Sequence, residues 1–100
     1  MATSKIAKNI TQSPIVKELQ LSYTVAANST YNTNIKTLID NNMPANHHFG
    51  GICGFVSNNV QVITINCGYY DSNYSLQLAN RSGSAIGSTL YRIFYIAIPD

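Results

Sequence analysis

Charged residues are scarce in this chain of 100 residues. Only 10 of them are charged, whereas an ordinary soluble domain carries about 25%. The six Lys and Arg residues give a formal net charge of +2 and form no basic run. Nucleic-acid binding needs a concentrated basic surface, so this pattern argues against DNA or RNA as a partner.

Long apolar stretches are absent as well. No segment approaches the roughly 18 consecutive apolar residues of a membrane-spanning helix. The first residues, MATSKIAKNITQS, also lack the apolar block of a secretory signal. We therefore expect synthesis in a cytoplasm without a signal peptide, and no insertion into a membrane.

Carboxylates are too few and too scattered for acid–base catalysis. Glycoside hydrolysis needs two positioned carboxylates, and the chain has four in different segments: Glu18, Asp40, Asp71 and Asp100. Only Asp40 and Asp71 could form a pair, and nothing in the sequence brings them together. The sequence therefore predicts no enzyme, no catalytic residues and no cofactor.

Two histidines and two cysteines supply the remaining reactive groups. His47 and His48 are adjacent, so on an extended chain they point in opposite directions and do not readily chelate one ion. We predict no metal site; the alternative is one His from each of three subunits on a trimer axis. A nucleophile made from Cys53 or Cys67 with a histidine needs a reactive thiol, whereas a buried cysteine is normally inert.

Asparagine (12 residues), Ser, Thr and seven Tyr take the place of charge. This composition favours strands and turns, because Asn and Ser compete for backbone hydrogen bonds in helices while Tyr and Thr suit a pleated surface. We expect an N-terminal arm at 1–14. Alternating polarity predicts strands at 15–25, 31–39, 52–57, 60–66, 74–79 and 88–98. The segments at 26–30, 40–51, 68–73 and 81–87 are predicted as loops. This spacing predicts one all-β domain over 15–100, an antiparallel β-sandwich or jelly-roll-like barrel of six to eight strands.

The pair Asn58-Asn59 predicts the two-residue turn of a hairpin between the strands at 52–57 and 60–66. Asn tolerates the positive φ that such a turn requires. In the resulting register Cys53 faces Thr64, and Cys67 lies roughly 10 Å further along the strand, beyond the reach of a disulfide. We therefore expect Cys53 and Cys67 to be buried thiols that form no disulfide.

The strand predicted at 88–98 is apolar on both faces. Leu90, Phe94, Ile96 and Ile98 share one face, and Tyr91, Ile93, Tyr95 and Ala97 share the other. A strand of a small domain normally buries one face, so this one needs a second sheet on one side and a neighbouring subunit on the other. A homo-oligomer follows, in which Arg92, on the first of these faces, lies at the subunit seam and meets Asp100 or Glu18 of a neighbour.

The turn at 68–74 is the best candidate for ligand binding. It holds Tyr69, Tyr70, Asp71, Asn73 and Tyr74. Sugar recognition needs a flat apolar ring face together with amide or carboxylate partners for paired hydroxyls, and this turn contains both. The alternative is that Tyr69 or Tyr70 fills the core while the rest is an ordinary turn. Residues 41–48 would form the other lip of a groove.

The order of features from residue 36 onward resembles a known family. The Leu-Ile of LIDNNMPANHHF is followed by Gly-Ile-x-Gly-Phe, Ser-Asn-Asn-Val, Leu-x-Leu-x-Asn-x-Ser and a closing Tyr-Ile. This pattern resembles the C-terminal β-rich modules of phage and prophage tail fibres and receptor-binding proteins, over residues 15–98. The resemblance implies a trimeric β-sandwich in the virion whose exposed loops touch a host-surface glycan or protein.

We therefore expect a non-catalytic tail-tip or fibre module that binds a bacterial surface glycan. It would act as a homo-oligomer, with a trimer favoured. The alternative is a structural virion protein, in a baseplate or decorating a capsid, that binds only other viral proteins.

Overall fold

Strands make up most of the computed structural model, which describes residues 13–69 and 75–100. Within these ranges the elements are β1 (Ile15–Val25), β2 (Ser29–Thr33), α1 (Lys36–Asn41), β3 (His47–Ser57), β4 (Val62–Cys67), β5 (Leu76–Asn80) and β6 (Ile86–Pro99). The prediction of an all-β chain is confirmed. Among the described residues, no helix has the length and apolar character needed to cross a membrane.

The strands form two antiparallel sheets of three. The first sheet has the order β1-β6-β3, and the second sheet has the order β2-β5-β4. Of the described strands, only β4 and β5 are both consecutive in the chain and paired. Every other connection passes from one sheet to the other, and the first sheet joins β1 to β6, with Ile15 opposite Ala97 and Val25 opposite Ile86.

The core lies between the sheets and is built on one face of β6. The four residues of that face are completely buried: Tyr91, Ile93, Tyr95 and Ala97. The second sheet supplies Leu76 and Leu78 of β5, which are also completely buried and belong to the same cluster. Burying a side chain of this size contributes about 1.5–3 kcal/mol, so this contact is the main attraction between the sheets.

Tyrosines connect the sheets by specific contacts. The Tyr91 hydroxyl lies 2.7 Å from Thr64 Oγ1 of β4, and the Tyr23 ring of β1 stacks on the Tyr31 ring of β2 with centroids 5.6 Å apart. Burial raises the pKa of Tyr91 to about 12, so its phenol stays neutral near neutral pH. The contact with Thr64 satisfies the hydroxyl of Tyr91, whose ring fills the core.

The strand predicted at 31–39 is wrong in its second half. Strand β2 ends at Thr33, and α1 begins at Lys36, whose backbone N–H donates to Asn34 Oδ1 at 2.9 Å. Ile35 and Ile39 are both completely buried, and residues four apart share one face of a helix. Asn34 therefore helps to satisfy the start of the helix, and the two isoleucines hold it against the core.

The hairpin predicted around Asn58-Asn59 is also wrong. Strand β3 pairs with β6, whereas β4 pairs with β5, so the two segments lie in different sheets. Residues 58–61 connect the sheets: Asn58 N donates to Leu90 O at 3.0 Å, and Val62 N donates to Asn59 O at 3.2 Å. Strand β3 also begins at His47, inside the predicted loop 40–51, so it is eleven residues long and is five residues longer than predicted.

The two cysteines form no disulfide, as predicted. Cys67 is half-buried, and this burial raises the pKa of its thiol to about 11. Cys53 is exposed, so the prediction of a buried thiol is wrong there. The reason is a shift in the β3–β6 register between Ile52 and Gly54, which leaves Cys53 as the extra residue of a bulge.

Asn80 joins the end of β5 to two loops, and its loss should be costly. Its side chain is buried, and Nδ2 donates to Val25 O, Ala26 O and Ser84 O at 2.9–3.2 Å, while Oδ1 accepts from Ser82. Asn80→Ala leaves these carbonyls unpaired, so we expect a loss of about 3 kcal/mol in the free energy of unfolding, measured with urea. Exposed Asn58→Ala, the control, should change it by less than about 0.5 kcal/mol; equal effects would contradict this role.

Candidate binding surfaces

The predicted ligand-binding turn is described only at its first tyrosine. Tyr69 lies within the described residues, whereas Tyr70, Asp71, Asn73 and Tyr74 lie outside them. The assignment of these five residues to ligand binding stays a prediction. The contacts of Tyr69 nevertheless show what its own ring does.

Tyr69 joins α1 to β3 through three contacts. Its ring stacks on Phe49 with centroids 4.0 Å apart and planes inclined by 12°, and its hydroxyl donates to the Asp40 carboxylate. Lys36 Nζ lies over the Tyr69 ring at 4.9 Å from the centroid and forms an ion pair with Asp40 at 2.8 Å. A sugar stacked on this ring would have to displace one of these partners, so the geometry favours the alternative in which Tyr69 packs at the end of a strand.

The charged groups of this cluster shift one another's pKa values. The hydrogen bond from Lys36, followed by that from Tyr69, holds the pKa of Asp40 below its ordinary value. The Asp40 carboxylate in turn raises the pKa values of both Lys36 and Tyr69. All three groups therefore keep their usual charge states near neutral pH. Their contacts hold the short helix α1 against the edge of the first sheet.

The residues predicted as a second lip, 41–48, mostly bond within their own region. Asn42 Nδ2 donates to Leu38 O at 2.8 Å and helps to end α1. His47 Nδ1 lies 2.8 Å from Ala45 O, and His48 Nδ1 lies 2.8 Å from Asp100 Oδ1. Across the described ranges there is no group of three or more His, Cys, Asp or Glu residues that could hold a metal ion.

The face of the first sheet that points away from the second sheet is apolar along β6. We call it the outer face; on β6 it consists of Leu90, Arg92, Phe94, Ile96 and Ile98, all partly exposed. Val16 of β1 lies opposite Ile96, and Val56 of β3 lies opposite Arg92; they are 65% and 39% exposed. The rest of β1 on this face is polar, with Glu18, Gln20 and Ser22. The alternation predicted for 88–98 is therefore confirmed, and among the described residues no second sheet covers the outer face.

Glycines on β3 make room for the large side chains of β6 on the outer face. A Cβ on Gly50 would lie 2.5 Å from Ile98 Cδ1, and a Cβ on Gly54 would lie 3.5 Å from Phe94 Cδ2. Ile98 and Phe94 thus lie across the neighbouring strand, which widens the apolar surface. Within this surface the Nε atom of Arg92 is buried and has no hydrogen-bond partner among the described residues.

The second sheet carries an open cleft on its own outward side. Its volume is about 730 Å³, and it is lined by Asn28, Ser29, Thr30, Ile65, Ala79 and Arg81, together with Asn80. A smaller recess of about 310 Å³ shares Arg81 and is bounded by Gln61, Ile63 and Ser82. Sequence reasoning missed this site, although one signal was available: Arg81 is the only cation between Lys36 and Arg92.

Comparisons with models of protein families, with curated proteins and with solved structures found no match to this chain. The resemblance to tail-fibre modules therefore stays a prediction. The arm predicted at residues 1–14 lies outside the described residues except for its last two positions. The surfaces that bear on function are the two outward sheet faces.

The Lys36–Asp40–Tyr69 cluster should weaken in acid. Because the folded-state pKa of Asp40 is depressed, its contribution is complete above the ordinary value of 3.8 and is lost as the pH falls below it. Asp40→Asn should therefore lower the melting temperature at about pH 6 but have less effect at about pH 2.5, as measured by circular dichroism. Asn58→Ala, at an exposed and uncharged side chain, is the control and should have the same small effect at both pH values; a pH-independent effect of Asp40→Asn would refute the prediction.

Proposed function

We propose that this chain is a non-catalytic tail-tip or fibre module of a virion, which assembles as a homotrimer and binds a bacterial surface glycan. Each subunit would be a jelly-roll-like β-sandwich. The observation that carries this proposal is the outer face of the first sheet, which is apolar along β6 and is covered by no second sheet within the part of the chain that the structure describes. The cleft on the second sheet then remains available for a ligand.

The outer face has the character of a self-association surface. Contiguous exposed apolar patches of this kind mark interaction sites in soluble proteins. The patch also contains charges of both signs, because Arg92 lies on β6 and Glu18 lies on the adjacent strand β1, opposite Phe94. A neighbouring copy can supply its Glu18 to Arg92, whose side chain is partly exposed.

The strand order supports the jelly-roll-like interpretation. In the orders β1-β6-β3 and β2-β5-β4, the first strand pairs with the last, the second with the fifth, and the chain changes sheet at every connection except that between β4 and β5. Double-sheet jelly rolls are found in viral capsid proteins and lectins. This support is an analogy of fold, so the ligand must be argued from the surface itself.

The described carboxylates favour binding without chemistry. Asp40 is held by Lys36 and Tyr69, Asp100 lies beside His48, and Glu18 accepts a hydrogen bond from Gln20 on the outer face. Each of these acids is thus engaged by a different side chain, which favours binding over acid–base chemistry.

Assembly is tested with two exposed valines. The wild-type protein should give a mass near three times 10.9 kDa by light scattering. Val16→Lys on the outer face should weaken association by roughly 100-fold or more, because each interface would bury an unpaired lysine. Val60→Lys, at a residue 99% exposed and away from the first sheet, is the matched control. A wild-type monomer, or equal effects of the two changes, would exclude this interface.

Glycan binding is tested on immobilised surface polysaccharides from bacteria, both acidic and neutral. We expect the trimer to bind a subset of them and to release them with unchanged chain length. Hydrolysis would contradict the non-catalytic proposal. Absence of binding together with co-purification on virus particles would instead support the structural virion protein.

A further inference from the structure

The cleft on the second sheet is shaped by alternation along β5. Leu76, Leu78 and Asn80 are buried toward the core, so Gln77 and Ala79 face outward. Ala79 lies between Thr30 of β2 and Ile63 of β4 in the strand register. A small side chain between two larger ones leaves a depression along the middle of the sheet.

The walls of the cleft are fixed by backbone features. The β4–β5 register shifts between Thr64 and Asn66, and the intervening residue, Ile65, lines the cleft with 51% of its surface exposed. Opposite it, Asn28 has φ +50°, and its backbone N–H donates to Ser82 O at 3.0 Å. Asn80 holds the same two loops together from inside. The cleft is thus preformed.

Its polar groups are available to a ligand. The side chains of Arg81, Asn28 and Thr30 line the cleft, and none of the three makes a side-chain hydrogen bond or ion pair within the described residues. Ser29 donates its hydroxyl to Ala27 O at 2.9 Å and keeps its acceptor capacity. None of the carboxylates of the described ranges lines the cleft, so the charge of Arg81 is not neutralised there.

This set of groups matches a particular class of ligand. Ile65 offers apolar contact to the C–H side of a sugar ring above the buried Ala79, while the Asn28 amide and the Thr30 hydroxyl can pair with sugar hydroxyls. The guanidinium of Arg81 suits a carboxylate, which it can bind with two parallel hydrogen bonds. A single cation fits isolated acidic groups better than a polyanion, whose binding requires many cations.

Resting on the glycan-binding function proposed above, we infer that the cleft binds a saccharide bearing a carboxylate, with that carboxylate on Arg81. The cleft takes the acidic sugar of the ligand, and the smaller recess beside Gln61 and Ile63, which shares Arg81, takes the next sugar of the saccharide. The volume of about 730 Å³ lies within the range of ligand sites, about 300–1,000 Å³.

The experiment compares acidic glycans with the same glycans after their carboxyl groups have been reduced to alcohols. A disaccharide with a single galacturonic acid residue serves as the simplest probe, beside the acidic and neutral bacterial polysaccharides used for the function. We expect wild-type protein to bind the acidic forms about tenfold or more tightly than the reduced forms, with a preference that falls as salt is raised. Arg81→Gln should remove this preference.

Lys17→Gln is the matched control, since it removes the same charge from β1 on the first sheet. It should keep the preference, and both variants should keep the melting temperature of the wild-type protein. Equal binding of acidic and reduced glycans, or full preference in Arg81→Gln, would overturn the inference while the glycan-binding function stands. Failure to bind any polysaccharide would overturn the function itself, and the inference with it.

Discussion

The packing of β6 against the second sheet is the interaction on which the rest of the structure depends. Strand β6 is central in the first sheet, so β1 and β3 occupy both of its edges, and its inner face of Tyr91, Ile93, Tyr95 and Ala97 is completely buried. A chain of this size has one core to form, and this face supplies much of it. The other side of β6 belongs to the outer face and includes Phe94 and Ile96. The same strand therefore determines both how the chain folds and which apolar row it presents outward.

The two sheets divide the outward surfaces by chemistry. On the first sheet, alternation along β6 brings large apolar residues outward, and Gly50 and Gly54 on β3 leave space for them. On the second sheet, alternation along β5 brings only Gln77 and Ala79 outward, so polar neighbours surround a shallow floor. One outward face thus suits contact with protein, and the other suits a hydrated ligand. Each surface follows from the size of the side chains at alternate positions of a strand rather than from a specialised loop.

The sequence predicted the strands with regular alternation and failed where spacing was ambiguous. Strands β1 and β6 were recognisable because a buried face imposes period two over many residues. The helix was missed since Ile35 and Ile39 are compatible with a strand until Asn34 is recognised as the acceptor for the backbone N–H of Lys36. The hairpin at Asn58-Asn59 was wrong because adjacency in the chain does not decide which strands pair. Arg81 was missed since Asn28 and Ile65, which line the same cleft, come from distant segments that only the fold brings together.

The pairing of β1 with β6 also determines the order in which the molecule can form. Each paired residue of β1 has its partner some sixty to eighty positions later in the chain, whereas β4 and β5 follow one another directly. Such long separations slow folding, because the entropy of closing the loop is lost before the contacts compensate for it. During synthesis the β4–β5 pair would form early, and β1 would emerge with both edges unprotected. In that interval the nascent polypeptide is exposed to aggregation, and chaperones would protect its first strand until the last one arrives.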